Sequence, residues 1–376
     1  MPGLRSDCFL PLMALMALAC VLSACASAPR ATLAPMAPSA DSSAASRPWV
    51  IAHRGASALR PEHTLAAYAL AIEHGADAIE PDLVMTRDGV LVARHENALS
   101  DSTDVAARPE FAARRTRKQV DGEWAEDWFT EDFSLAELKT LRARERLPQL
   151  RSTEWDGRFE VPTFEEIVVL VASESARRGR DIGLVPEIKH PTYFAGLGLA
   201  MEQPLLDALA AHAYTRRAPV VIQSFETANL RALRKQLPRG GNVRLLQLIG
   251  APEAAPFDTV QAGAPRTYRQ LLTEGLRDIA SYADAIGPHY RMLQVQPRAG
   301  GYHSALVEAA HAEGLQVYAY TFRPESVFIE AAFRSEGQAP GRDDAGSARE
   351  LRAHASAGVD AVFADDPAAA RKALTQ

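Results

Sequence analysis

Cysteine is nearly absent where a fold could use it. The 376-residue chain has three, at positions 8, 20 and 25, and none beyond. The rest of the chain can form no internal disulfide, and thiol-based redox or metal chemistry is excluded there. Charge of one sign is not concentrated either. Forty-one Lys and Arg stand against 47 Asp and Glu, for a net charge of −6 without a basic stripe, which argues against a nucleic-acid partner. Long hydrophobic runs are missing too. The most apolar stretch, residues 9–22, has fourteen residues, whereas a membrane-spanning helix needs roughly 20. No Gly-rich dinucleotide loop follows any strand-like segment.

The short apolar run suits a signal-peptide core, preceded by Arg5 and its partial offset Asp7. It ends in Leu22-Ser23-Ala24-Cys25, which resembles the bacterial lipobox, where lipid is attached to the cysteine and the chain is cut just before it. An ordinary signal peptide with a nearby cysteine would share the small residues, but the leucine three places earlier favours the lipobox. Residues 1–24 are therefore expected to be a lipoprotein signal peptide, with Cys25 the lipidated mature N-terminus. This places the protein in the bacterial cell envelope, on the periplasmic or surface side, held to the membrane by its anchor. Residues 25–48 are rich in Ala, Pro and Ser and cannot bury enough surface to offset ordering, so they read as a disordered tether. Residues 49–376 form the expected domain, long for one core but within range for a barrel with insertions.

Within that domain short apolar runs alternate with amphipathic segments. Candidate buried strands are 49–52, 78–79, 182–185, 220–222, 245–248, 317–320 and 361–363. Between them, a helix beginning after Pro61 places Leu65, Tyr68, Ala69 and Ile72 on one face and stops at Gly75. Two more helices open with capping-box patterns, Ser134 with Glu137 and Thr163 with Glu166. Repeated strand-helix alternation predicts an α/β fold with a parallel sheet. A doubly wound sheet shares the pattern; the missing dinucleotide loop favours a (β/α)₈ barrel. Asp88-Gly89 predicts a hairpin turn between 83–85 and 90–92. After it, the polar stretch 100–156, with Trp124 and Trp128, reads as an insertion, and 252–281 is a second candidate.

Three clusters carry chemistry, each at the carboxyl end of a predicted strand, where barrel enzymes build their sites. His53-Arg54-Gly55 joins a proton-transfer group to a guanidinium fork beside a glycine that eases the turn. Glu80-Pro81-Asp82 sets two carboxylates two residues apart, on one face of a strand. Such a pair repels inside a barrel unless a cation neutralises it, and Pro81 belongs where the strand splays into its loop. Glu187-Ile188-Lys189 adds a third carboxylate and a cation. Each cluster alone is weak. Together with His95, they supply what hydrolysis of an anionic diester needs: oxygen ligands for a hard ion, two cations, and a histidine on each side of an in-line displacement.

The ordered set His53-Arg54-Gly55-Ala56-Ser57, Pro61-Glu62-His63-Thr64, Glu80-Pro81-Asp82-Leu83, Asp88-Gly89-Val90-Leu91-Val92 and His95-Glu96 resembles the glycerophosphodiester phosphodiesterase family. The likeness continues through Pro162-Thr163, Pro186-Glu187-Ile188-Lys189, Gln223-Ser224-Phe225, Tyr320-Thr321 and the ending from Gly358-Val359-Asp360 to Asp366-Pro367. The insertion, with Phe129-Thr130-Glu131-Asp132-Phe133, is similar to that of the secreted, periplasmic branch. The resemblance implies a TIM barrel of the phospholipase-C-like phosphodiesterase type, one Ca²⁺ or Mg²⁺ ion, and release of sn-glycerol 3-phosphate and an alcohol from small glycerophosphodiesters. By matching position it implies Glu80, Asp82 and Glu187 as metal ligands and His53 and His95 as the acid-base pair. Arg54 and Lys189 would bind phosphate, with Gln223 and Tyr320 as further pocket residues. No protein partner is implied.

Two departures from the family pattern fall outside these residues. Ser100-Asp101-Ser102-Thr103-Asp104 lacks an arginine that many members have, and Ala364 stands where threonine is more usual. They bear on substrate preference more than on catalysis. Two other readings keep the same barrel: a phospholipase-like enzyme acting on intact lipids, and a surface lipoprotein that binds a partner through a vestigial site.

Overall fold

The computed structural model describes residues 47–337 and 341–375. The expected signal peptide, the lipobox with Cys25 and the tether up to residue 46 lie outside the described residues.

The first strands are β1 (Trp49–His53), β2 (Ala78–Glu80), β3 (Asp82–Met85), β4 (Leu91–Ala93), β5 (Thr116–Val120), β6 (Glu123–Asp127), β7 (Gly183–Leu184) and β8 (Glu187–Ile188). There follow β9 (Val220–Ser224), β10 (Val243–Ile249), β11 (Ala285–Pro288), β12 (Gln296–Arg298), β13 (Gly301–His303), β14 (Gln316–Phe322) and β15 (Ala361–Ala364). Eight of them close a parallel barrel in the order β1, β2, β7, β9, β10, β11, β14, β15, with β15 pairing back onto β1. The fold is the expected (β/α)₈ barrel.

Two barrel strands are broken and resume. Pro81, which lacks a backbone donor, separates β2 from β3, yet its carbonyl still accepts from the Glu187 amide at 2.9 Å. The strand does not simply splay into a loop there. β3 continues outward, parallel to β8 and antiparallel to β4, so the Asp88-Gly89 hairpin forms as expected. Val185 and Pro186 break the next barrel strand in the same way, and β8 restores register with Glu187 opposite Gln223.

β11 was not foreseen among the candidate strands. Its Ala-Ile-Gly-Pro sequence carries one large apolar residue, and Gly287 is there for space: a Cβ would lie 2.7 Å from Leu248. Close packing inside the barrel removed the hydrophobic run that marks the other strands.

Local capping signals translate directly. Ser134 and Thr163 each form a full capping box, with Glu137 and Glu166. Thr64 caps the helix Leu65–Glu73, whose buried side is Ala67, Tyr68, Ala71 and Ile72. Leu65, expected on that face, is exposed, because the first helical residue lies beyond the surface that the barrel covers. Between β4 and the helix Phe164–Arg178, the chain departs from the barrel alternation. It forms the hairpin β5–β6 and short turns, with Trp128 buried and Trp124 exposed.

Candidate active site

Strand alternation builds the site. Ile51, Ala78, Val185, Val221 and Phe363 pack together inside the barrel. Two residues further along the same chain segments stand His53, Glu80, Glu187, Gln223 and Asp365. Side chains two apart on a strand share a face, so the apolar barrel floor gives way at its carboxyl end to a layer of polar groups. His53, Arg54, Glu80, His95, Glu187, Lys189, Gln223 and Tyr320 all line one cavity of about 370 Å³. Asp82 sits just behind them, buried, and Cys25 is outside the described residues.

Glu80, Asp82 and Glu187 each offer a carboxylate oxygen within 4.8 Å of the others, and all three are buried. Burial and the neighbouring charges of Asp82 and Glu187 push Glu80 well above the usual carboxylate range. Glu187 is pushed up to about 8 by burial and by Asp82, against the pull of Lys189. Asp82 goes the other way: burial would raise it, but a hydrogen bond to His63 Nε2 at 2.9 Å and the Arg54 charge hold it low. Three buried carboxylates so close together cannot all be ionised without compensation. A hard divalent cation is the group that fits this all-oxygen donor set.

The carboxylates are held by their neighbours. Glu80 accepts from the Arg54 amide at 2.9 Å and from Gln223 Nε2 at 3.0 Å. The Arg54 amide is aimed by an unusual turn in which Arg54 itself has φ +58° and Gly55 φ +89°. Only glycine fits at 55, where a Cβ would lie 2.7 Å from the Ala67 backbone. Glu62 takes up Arg54 at 3.1 Å, and Arg94, wholly buried, binds the carbonyls of Glu62 and His63.

The two candidate histidines face this cluster from different elements. His53, at the end of β1, places Nδ1 2.6 Å from Asp365. Burial, with the Arg54 charge, brings it down to about 4 despite Asp365. A carboxylate only accepts, so neutral His53 donates from Nδ1 and keeps Nε2 as an open acceptor. His95 comes from the loop after β4; burial and the charges of Arg54 and Lys189 hold it well below the ordinary histidine range. Tyr320 contributes its ring to the cavity, while its hydroxyl donates to the Ile249 carbonyl at 2.6 Å.

Several site residues escaped sequence reasoning. Asp365 lies in the quoted ending but carried no role. Arg151, from the insertion, donates to Asp365 at 2.6 Å and to Glu325 at 2.7 Å, and Arg323 lies 3.1 Å from Asp365. Arg146, also from the insertion, reaches the cavity and binds Glu62. No spacing in the sequence joins these segments. His63 was visible only as part of a motif.

Residues 53–369 match the model of the glycerophosphoryl diester phosphodiesterase family. The chain belongs to that family. Membership makes it an enzyme, a phosphodiesterase. A glycerophosphodiester phosphodiesterase of Arabidopsis thaliana is 32% identical over 309 residues, covering 77% of this chain and 78% of that protein. A structure from Silicibacter pomeroyi assigned to the same enzyme class shares the fold, with TM-score 0.59, 24% identity, and 88% of this chain and 93% of that one covered. A phosphodiesterase of Oleispira antarctica, solved with the product sn-glycerol-3-phosphate, aligns with TM-score 0.56 and 20% identity over 88% of this chain and 98% of its own.

Proposed function

We propose that this phosphodiesterase hydrolyses small glycerophosphodiesters, the deacylated phospholipids, to sn-glycerol 3-phosphate and an alcohol with one divalent cation, Ca²⁺ or Mg²⁺. The observation that carries the reading is the buried triad of Glu80, Asp82 and Glu187 in a cavity that also holds His53, His95, Arg54 and Lys189. Glu80, Asp82 and Glu187 hold the cation, which when bound supplies positive charge against the phosphoryl oxygens.

The protein groups divide the remaining work. Arg54 and Lys189 hold the phosphodiester anion in the cavity. His53, neutral and oriented by Asp365, takes the proton of the attacking hydroxyl at Nε2. His95 gives a proton to the departing alkoxide, having taken it up when the phosphodiester anion offsets the Arg54 and Lys189 charges that, on top of burial, otherwise keep it neutral. Gln223 keeps Glu80 in place, and Tyr320 walls the cavity. Turnover of glycerophosphocholine by the purified protein, with and without a chelator, tests this reading. Release of sn-glycerol 3-phosphate that stops with chelation and returns with one added divalent ion is expected; no turnover in any divalent ion overturns it.

The site of action is proposed from the leader. Cys25 is the lipidated N-terminus of a secreted, envelope-bound member, and residues 26–48 are a tether that lets the barrel stand clear of the membrane. Cys25→Ala is expected to leave a soluble or unprocessed protein. Unchanged processing and membrane fractionation of that variant refute the anchor.

A further inference from the structure

A chain of contacts runs from the catalytic cavity to the tip of the insertion hairpin. Asp121 occupies the turn between β5 and β6, and its Oδ2 lies 2.5 Å from His190 Nδ1. His190 Nε2 is 3.0 Å from Glu96 Oε2. The other oxygen of Glu96, Oε1, is 3.0 Å from His95 Nδ1. Two ring nitrogens that each face a carboxylate must both carry a proton. His190 is thus an imidazolium between two anions; burial opposes the charge, but Asp121 and Glu96 prevail and pull it up to about 9.

His95 needs such a support. It leaves β4 in a loop, without a strand ladder to fix it, and Glu96 is half exposed. An exposed glutamate samples many rotamers unless something grips it. His190 does so, and it is itself gripped from outside by the hairpin. Lys118 of β5 fastens the hairpin to Glu131 at 3.0 Å. The contacts therefore join the insertion to a catalytic candidate that, unlike His53, has no barrel strand of its own.

We infer that His190, clamped by Asp121 of the hairpin turn, is a positioning residue that holds Glu96 against His95, so that proton transfer by His95 depends on the seated hairpin. This rests on the reading of His95 as a proton-transfer residue. It gives the insertion a task at the reacting centre beyond walling the cavity.

Asparagine suits the test, because Asp121 and His190 both have left-handed backbone, φ +47° and +48°, which asparagine tolerates. The assay is turnover of glycerophosphocholine by the metal-loaded full chain, with His95→Ala as reference and metal affinity and melting temperature measured on every variant. His190→Asn, Asp121→Asn and Glu96→Gln are each expected to lower kcat roughly ten- to a hundredfold, the scale of a misplaced catalytic group. KM and metal affinity stay within about twofold. The double variant Asp121→Asn His190→Asn should lose about as much as His190→Asn alone, since both cut the same chain of contacts. Should His190→Asn fail to fold, Asp121→Asn, at a hairpin tip, decides alone. Wild-type kcat in the asparagine variants beside an inactive His95→Ala overturns the inference and leaves the catalytic reading standing. A rise in KM at constant kcat also overturns it, by making these residues a substrate wall. Full activity in His95→Ala removes both the reading and the inference built on it.

Discussion

His53 and Asp365 lie 312 positions apart in the chain and 2.6 Å apart in space. One ends the first barrel strand and the other follows the last, and the pairing of those strands brings them together. Arg151 and Arg323 keep Asp365 ionised and facing the imidazole. The Nδ1 proton is thereby fixed, and with it the open Nε2.

Asp365→Asn should therefore disable the enzyme without emptying its site. An asparagine amide turned toward Nδ1 would donate and move the ring proton to Nε2, removing the base. We expect kcat to fall about 10²–10⁴-fold with metal affinity unchanged by calorimetry. Wild-type turnover in this variant would show that the tautomer does not matter.

Chelation should abolish activity and a single divalent ion restore it. Asp82→Asn should weaken ion binding at least tenfold while the circular dichroism spectrum stays native. With Asp82 neutral, Glu80 loses the charge that helps push it upward, while buried Arg54 and His63 lose the carboxylate that they hold ionised, so the apo form should be less stable than wild type. Full activity after exhaustive removal of metal would refute the cation's role.

The two histidines are expected to act as a unit. His53→Ala and His95→Ala should each lower kcat about 10²–10⁴-fold, roughly 3–5 kcal/mol of barrier, and the double variant should lose far less than the product of the two. A nitrophenolate leaving group departs without a proton, so it should rescue His95→Ala and not His53→Ala. Equal rescue of both, or of neither, would reject the division into base and acid.

Seating of the hairpin should weaken in alkali. His190 has a folded-state pKa of about 9 against an ordinary 6.5. A raised value means that the folded protein binds the proton more tightly. The contribution is complete below about pH 6.5 and fades as pH rises through 9. The difference in melting temperature between wild type and His190→Asn should shrink steadily across that window. A difference constant from pH 6 to 10 would contradict a charged clamp.

How much of this could be read from the sequence depended on whether the signal was local. Buried parallel strands are short apolar runs, so 49–52 and 220–222 stood out, while β11 did not, because Gly287 had to be small for Leu248. Capping boxes are spelled within four residues, and both formed. Glu80 with Asp82, and Glu187 with Lys189, were legible because a period of two puts such pairs on one face. The supports around them were not. Asp365, Arg151 and Glu325 come from three distant segments, and His190 acquires a role only when a hairpin some seventy residues earlier reaches it.

Barrel closure also bears on when the enzyme becomes active. β15 pairs with β1, so the ring has a gap until nearly the whole chain is available. A ribosome delivers the chain from its amino end. Throughout synthesis, until the last residues emerge, His53 is present and Asp365 is not. The nascent chain therefore has no completed His53–Asp365 dyad, and a product truncated before residue 365 lacks it however well its first strands fold.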